Sequence, residues 1–267
     1  MEETTYLFSE WKKVKRSLKG KFTHLFLDYD GTLVPIAETP AGAVMPAETK
    51  ELLRQLSILP NTKIIIISGR SLKDISSQIG LKEIVYVGNH GFEIKGPKIR
   101  FKSPVSLKYK RILGEIRNKL AKSLASFKDV LVEDKGLSLS VHYRLADKSD
   151  VPEMTAEFYR IIFPYEFKGD VKVRPGKKVL EVRPSVAWNK GSAVLWLLDQ
   201  RSFKPRDKKI RVFPVYIGDD ATDEDAFECL KSRGMTIFVG KPGRTKARFY
   251  LKGSREVIKF LKAISNN

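Results

Sequence analysis

Short apolar runs alternate along this chain with stretches whose apolar residues recur every three or four positions. Leu7, Trp11, Val14 and Leu18 share one helical face, so residues 1–20 are expected to form a helix. Residues 24–28 read as a strand. Residues 46–59 read as a helix, with Pro46 near its first turn and Leu52, Leu53 and Leu56 on its apolar side. The β-branched run K-I-I-I-I-S at 63–68 is a strand buried on both faces. A short helix over 72–79 closes at Gly80, and 84–87 forms another strand. This alternation predicts a parallel sheet with helices on both faces.

The pattern changes near Pro104. Up to about Arg183 it reads as a long helix, two adjacent strands, a helix and two adjacent strands. Asp134-Lys135-Gly136 separates strands at 130–133 and 137–143. Pro175-Gly176 separates strands at 171–174 and 179–182. The alternation then resumes, with a helix at 190–199, a strand at 212–217, a helix at 223–231, a strand at 235–239 and a closing helix at 256–264. The expected organisation is α/β. A core built from 1–103 and 185–267 carries an inserted α+β unit at 104–184.

Ligands of open parallel sheets bind beyond the carboxyl ends of the strands. Asp28 and Asp30 follow the first core strand, and Ser68, Gly69 and Arg70 the second. Gly88-Asn89-His90-Gly91 follows the third, and Gly218-Asp219-Asp220 the fourth. A carboxylate at a strand end can attack phosphorus, which makes Asp28 a candidate nucleophile. Asp30 is expected to project to the same side and to protonate a leaving alkoxide. Gly31 and Thr32 are expected to aim N–H groups at a phosphate oxygen. An Asp-Gly turn after a strand is the plainer reading of the dipeptide alone. Asp219 and Asp220 facing Asp28 and Asp30 would repel without a cation, and hard oxygen donors suit Mg²⁺. Asp223 is expected to cap a helix and to support the metal. Ser68 and Gly69 are candidates to hold phosphate, and Lys190 to supply a fixed positive charge.

D-Y-D-G-T (28–32), S-G-R (68–70), Lys190 before a helix and G-D-D-A-T-D-E-D-A-F (218–227) resemble the haloacid dehalogenase superfamily of phosphatases. G-N-H-G-F-E-I (88–94), V-E-D-K-G-L-S-L-S-V-H-Y-R (132–144), G-K-K-V-L-E-V-R-P (176–184) and N-K-G-S-A (189–193) sharpen this to the trehalose-6-phosphate phosphatase family. The resemblance covers about residues 20–250. It implies a Rossmann-like haloacid dehalogenase core with an α+β cap that closes and opens during turnover. It implies Asp28 as nucleophile and Asp30 as general acid/base, and Ser68 and Lys190 as phosphate binders. It also implies Mg²⁺ on Asp28, the Asp30 carbonyl and Asp219, with Asp220 and Asp223 nearby. It places Glu133, Lys135, Arg144 and Glu181 on the sugar, with Arg70 and His90 lining the pocket. From the residues alone, Glu133 and Lys135 read equally well as charges on a solvated hairpin, and His142 as a structural histidine. The competing activities are hydrolysis of a sucrose or mannosyl phosphate by the same chemistry, or a non-catalytic binding role.

The 267 residues are 42% hydrophobic, enough for a sizeable core. No apolar run has the length of a membrane span, and the first residues lack the pattern of a signal peptide. The net charge of +19 favours capture of anionic substrates. It carries no RNP-like, zinc-finger or helix-turn-helix pattern, so no specific nucleic-acid partner is expected. The densest basic run, 201–211, holds one aromatic, Phe203, and reads as a solvated loop. Three scattered histidines give no zinc spacing. Cys229 is alone, consistent with a reducing cytoplasm. A monomer without a membrane partner is the expectation.

Overall fold

The computed structural model describes residues 4–103 and 107–265. Along the chain, β1 (Thr5–Tyr6) leads through a 3-10 turn into α1 (Trp11–Leu18). The expected helix over 1–20 is therefore shorter and preceded by a strand, because Thr5 and Tyr6 pair in parallel with Phe249 and Tyr250. The first three residues of that expectation lie outside the described residues. Next come β2 (Phe22–Asp28), α2 (Ala47–Ser57), β3 (Thr62–Ile67), α3 (Leu72–Ile79) and β4 (Val85–Gly88). A hairpin of β5 (Glu93–Gly96) and β6 (Ile99–Lys102) follows. Then come α4 (Leu107–Ser123), β7 (Leu131–Asp134), β8 (Leu139–His142), α5 (Val151–Phe167), β9 (Val171–Gly176) and β10 (Val179–Pro184). The chain ends with α6 (Lys190–Asp199), β11 (Val212–Gly218), α7 (Glu224–Leu230), β12 (Met235–Val239), β13 (Phe249–Leu251) and α8 (Ser254–Ser265).

Two compact units form. One comprises the chain up to Phe101 and from Trp188 onward, the other Lys102–Ala187. The expected boundary at Pro104 lies outside the described residues.

The first unit holds a nine-stranded sheet in the order β1-β13-β12-β11-β2-β3-β4-β5-β6. From β1 to β4 the pairing is parallel, and β5 adds antiparallel to β4. The central strands are apolar on both sides. Leu25, Leu27, Ile64 and Ile66 face one core. Phe26, Ile65 and Ile67 face the other, with Val194 and Leu197 of α6 and Phe227 of α7. Each such buried side chain contributes roughly 1.5–3 kcal/mol. The β5–β6 hairpin was not read from the sequence. Its strands alternate apolar residues with Lys, Arg and Glu, the composition of a guarded sheet edge rather than of a buried strand.

The basic run at 201–211 is not wholly solvated. Phe203 is buried and meets the His24 ring at 5.3 Å. Phe22 and Phe26 close the same box, at 5.3 and 6.2 Å. Burial, helped by Lys63, lowers the His24 imidazole to a pKa of about 3.

The second unit has a four-stranded antiparallel sheet, β7-β8-β10-β9. Helices α4 and α5 cover one face through Ile116, Leu120, Phe158 and Ile162, packed with Leu139, Val141, Leu180 and Val182. The element order is the one the sequence suggests. The second turn is displaced: Pro175 and Gly176 belong to β9, and Lys177-Lys178 make the reversal, with Lys178 left-handed at φ 66°. Because β9 is an edge strand, the proline's missing N–H need not break the ladder. No helix among the described residues is long and apolar enough to cross a membrane.

Candidate active site

The chain runs from β2 outward to β3 and β4 on one side. On return it runs from β11 outward to β12 and β13 on the other. The carboxyl ends of β2 and β11 are therefore the switch point of the sheet, where a ligand crevice opens. Leu27 pairs with Ile217, so Asp28 and the Gly218-Asp219 segment emerge side by side. Asp28 is 5% exposed, Asp219 5% and Asp223 fully buried. One carboxylate oxygen from each lies within 4.8 Å of the others.

Two glycines make this approach possible. Gly31 has φ 88°, and a Cβ there would fall 2.2 Å from Asp219 Oδ2. A Cβ at Gly218 would fall 2.3 Å from the Asp223 carboxyl carbon. The sequence suggested that Gly31 and Thr32 present N–H groups to a phosphate. Instead their N–H groups close the turn, donating to the carbonyls of Val34 at 2.8 Å and Tyr29 at 3.4 Å. Gly31 serves as the seat of Asp219.

Lys190 begins α6, whose N-cap Asn189 accepts the Ser192 N–H at 2.8 Å. Its buried ammonium donates to Asp28 Oδ1 at 2.8 Å and to Asp223 Oδ1 at 2.7 Å. Burial opposes that charge, but the two carboxylates outweigh it and raise the lysine pKa. Asp223 sits where a cap of α7 was expected, yet its side chain makes no cap bond to that helix. Its Oδ2 accepts the N–H groups of Asp219 and Asp220, at 3.1 and 3.0 Å. Tyr216 donates its hydroxyl to Asp223 Oδ1 at 2.7 Å. Burial and Asp223 hold that phenol neutral, with its pKa well above the ordinary value. Asp220 stands apart from the cluster, accepting the Ala221 N–H and capping the turn at 221–223.

Burial pushes the Asp28 carboxyl well above the usual range. Lys190 opposes this, and Asp223 and Asp219 add to it. Among the described residues, the carboxyl groups of Asp28, Asp219 and Asp223 converge in a buried space where Lys190 pairs with two of them. A hard cation with oxygen ligands fits that donor set and would relieve the repulsion.

The second strand end supplies the S-G-R turn. Ser68 is buried and its Oγ accepts the Arg70 N–H at 3.1 Å. The imidazole of His90, itself buried at φ 55°, packs over Gly69. Arg70 does not point to open solvent. Its guanidinium grips both oxygens of Asp30, at 2.8 Å each, and reaches Asp74 at 2.9 Å. The side chains of Asp28 and Asp30, expected on one side, thus have different partners: Lys190 for one and Arg70 for the other.

In the second unit, Glu133, Ser140 and Glu181 stand opposite one another across β7, β8 and β10. Lys135 lies 3.8 Å from Glu133 and 3.7 Å from Glu181. Arg144 is exposed and donates to the Lys177 carbonyl. Two residues that the sequence reading did not assign to this site join the group instead. His142 Nε2 is 2.8 Å from Glu133 Oε2. Arg183 donates to Glu181 Oε2 through Nε, at 2.8 Å, and through Nη2. Period-two spacing from Glu181 places Arg183 on the same face, and the first hairpin's register does the same for His142. In the first unit Tyr216 left no such signal, since within an apolar strand it reads as core.

A sequence profile described as trehalose-phosphatase matches residues 26–254. A probable trehalose-phosphate phosphatase 3 of Oryza sativa subsp. japonica is 34% identical, over 99% of this chain and 75% of its own length. Trehalose 6-phosphate phosphatase RA3 of Zea mays is 33% identical, over 100% of this chain and 76% of its own. The solved C-terminal domain of the C. albicans trehalose-6-phosphate phosphatase superposes with a TM-score of 0.83 at 26% identity, covering 99% of both chains. The architecture is that of the haloacid dehalogenase phosphatases. By profile, sequence and fold together, the chain belongs to the trehalose-phosphatase family.

Proposed function

We propose that this chain hydrolyses trehalose 6-phosphate to trehalose and phosphate through an aspartyl-phosphate on Asp28. The observation that carries this reading is the meeting of Asp28, Asp219 and Asp223 with Lys190 at the sheet's switch point. Lys190 orients the Asp28 carboxylate through the 2.8 Å contact. An Asp28 oxygen attacks phosphorus as the bond from phosphorus to the sugar oxygen breaks. The departing alkoxide takes a proton from Asp30, so the sugar leaves neutral. Asp30 then takes a proton from water, whose oxygen attacks phosphorus. The bond to Asp28 breaks, phosphate leaves and the carboxylate is restored.

In this structure both Asp30 oxygens accept from Arg70, so proton transfer by Asp30 requires that pair to open. Ser68 donates its hydroxyl to a phosphoryl oxygen, with the Gly69 segment and Lys190 completing the phosphate site. Mg²⁺, held by Asp28, Asp219 and Asp223 with the Asp30 carbonyl, would supply positive charge to the phosphoryl oxygens. In the second unit, Glu133, Lys135 and Glu181 bind sugar hydroxyls.

The test is phosphate release from trehalose 6-phosphate, sucrose 6-phosphate and glucose 6-phosphate, with Mg²⁺ and with a chelator. The expected result is strong preference for trehalose 6-phosphate, lost on chelation. Preference for another sugar phosphate would reject the substrate. Equal turnover with the chelator would reject the metal.

A further inference from the structure

Lys135 is nearly buried, with 11% of its side chain exposed, and stands between two carboxylates. At 3.8 and 3.7 Å it is close enough to be held by their charge but too far to donate a hydrogen bond to either. Carboxylate and ammonium groups on one sheet face would ordinarily close to about 2.8 Å. Something keeps this trio apart.

The register shows what does so. Glu133 and Glu181 flank Ser140 on the strand between them, so their backbones are about two strand spacings apart, roughly 9.6 Å. Each carboxylate is tied on its own account. His142 holds Glu133 Oε2 at 2.8 Å, a hydrogen bond in the tautomer that carries its proton on Nε2. Arg183 places Nε and Nη2 on Glu181 Oε2, while Glu181 Oε1 is the oxygen nearest Lys135. His142 and Arg183 lie on the same sheet face as the two glutamates, opposite the face that packs α4 and α5.

We infer that His142 and Arg183 are positioning residues that hold Glu133 and Glu181 apart, keeping the Lys135 ammonium as an open hydrogen-bond donor for a sugar hydroxyl. This rests on the proposed reading of that face as the sugar site. Preorganisation of this kind lowers the cost of binding, because the donors need not be pulled from internal partners when the ligand arrives. Without His142 or Arg183, the released carboxylate can close on Lys135 and occupy its N–H groups.

The test compares wild type with His142→Ala, His142→Gln, Arg183→Ala and Arg183→Lys. The measured quantities are KM and kcat on trehalose 6-phosphate and the ratio of that activity to turnover of p-nitrophenyl phosphate, which has no sugar. Each alanine variant is expected to raise KM for trehalose 6-phosphate about tenfold and to lower the ratio about tenfold, with kcat changing less than about twofold. His142→Gln keeps a donor near the Nε2 position and should recover most of the loss. Arg183→Lys keeps the charge without the paired donors and should recover less. Thermal unfolding accompanies each variant, and where an alanine variant is unfolded, its conservative partner gives the comparison. Unchanged KM in folded variants, or an equal fall on both substrates, would overturn the inference. If wild type prefers another sugar phosphate, the substrate reading fails and the same ratio is read with that compound. An unchanged ratio there would still overturn the positioning role.

Discussion

Each unit holds a lysine between two acidic residues, and the two lysines are held differently. Lys190 donates to Asp28 and Asp223 at 2.8 and 2.7 Å, with only 2% of its side chain exposed. Lys135 stands 3.8 and 3.7 Å from Glu133 and Glu181, bonded to neither. In the first unit the acids converge, because Gly31 and Gly218 leave room for them and Lys190 is their common counter-charge. In the second the acids are engaged by His142 and Arg183. The locked cluster suits chemistry, which needs one fixed geometry around phosphorus. The open one suits recognition, which needs donors that a ligand can claim.

The comparison breaks most directly at Asp28. Asp28→Asn keeps the shape and removes the nucleophile, so phosphate release should fall about a thousandfold or more, measured by steady-state phosphate assay. Lys190→Ala leaves buried carboxylates without their cation. It should cost about 3–5 kcal/mol in urea unfolding and abolish turnover. Lys135→Ala should cost clearly less by the same unfolding assay, since its ammonium is hydrogen-bonded to neither carboxylate and Glu133 and Glu181 keep His142 and Arg183 when it is gone. Its effect should appear as a roughly tenfold loss of kcat/KM on trehalose 6-phosphate. Equal destabilisation by the two lysine substitutions would erase the distinction between the clusters.

The smallest effect concerns acid. His24 is held at a pKa of about 3, against an ordinary 6.5. The unfolded chain therefore binds a proton that the folded chain refuses. The group costs nothing above about pH 6.5 and removes stability as pH falls toward 3, at about 1.4 kcal/mol per pH unit. At pH 5 the loss is roughly 2 kcal/mol, and His24→Leu should remove this part of the slope. Urea midpoints at pH 7 and 5 read it out. Hydrogen exchange should place the acid-weakened segment on β2 and β3 of the first unit.

Much of the site is legible because parallel strands fix where their ends fall. Asp28 and Asp219 follow apolar runs, and the sheet order makes neighbours of those ends whatever the side chains do. Side-chain pairing is not fixed in that way. Nothing in the spacing of Asp30 and Arg70 shows that a guanidinium takes both carboxylate oxygens. Asp223 has the sequence position of a cap, but its Oδ2 accepts the backbone N–H groups of Asp219 and Asp220, and its side chain makes no cap bond to its own helix. Arg144 and Arg183 illustrate the same limit in the second unit. Both are arginines near the hairpins, and only the strand register separates the one beside Glu181 from the one at an exposed turn. The β5–β6 hairpin was missed because its two short strands carry Lys, Arg and Glu, and β1 because two residues are too few to show a period.

The central claim is that Asp28 carries the phosphoryl group during turnover. The direct measurement is acid quench of enzyme mixed with radiolabelled trehalose 6-phosphate and Mg²⁺, followed by peptide mapping of the bound label. The account predicts label on the peptide containing Asp28 in wild type and none in Asp28→Asn. Label on a different residue, or phosphate release that persists in Asp28→Asn, would contradict it.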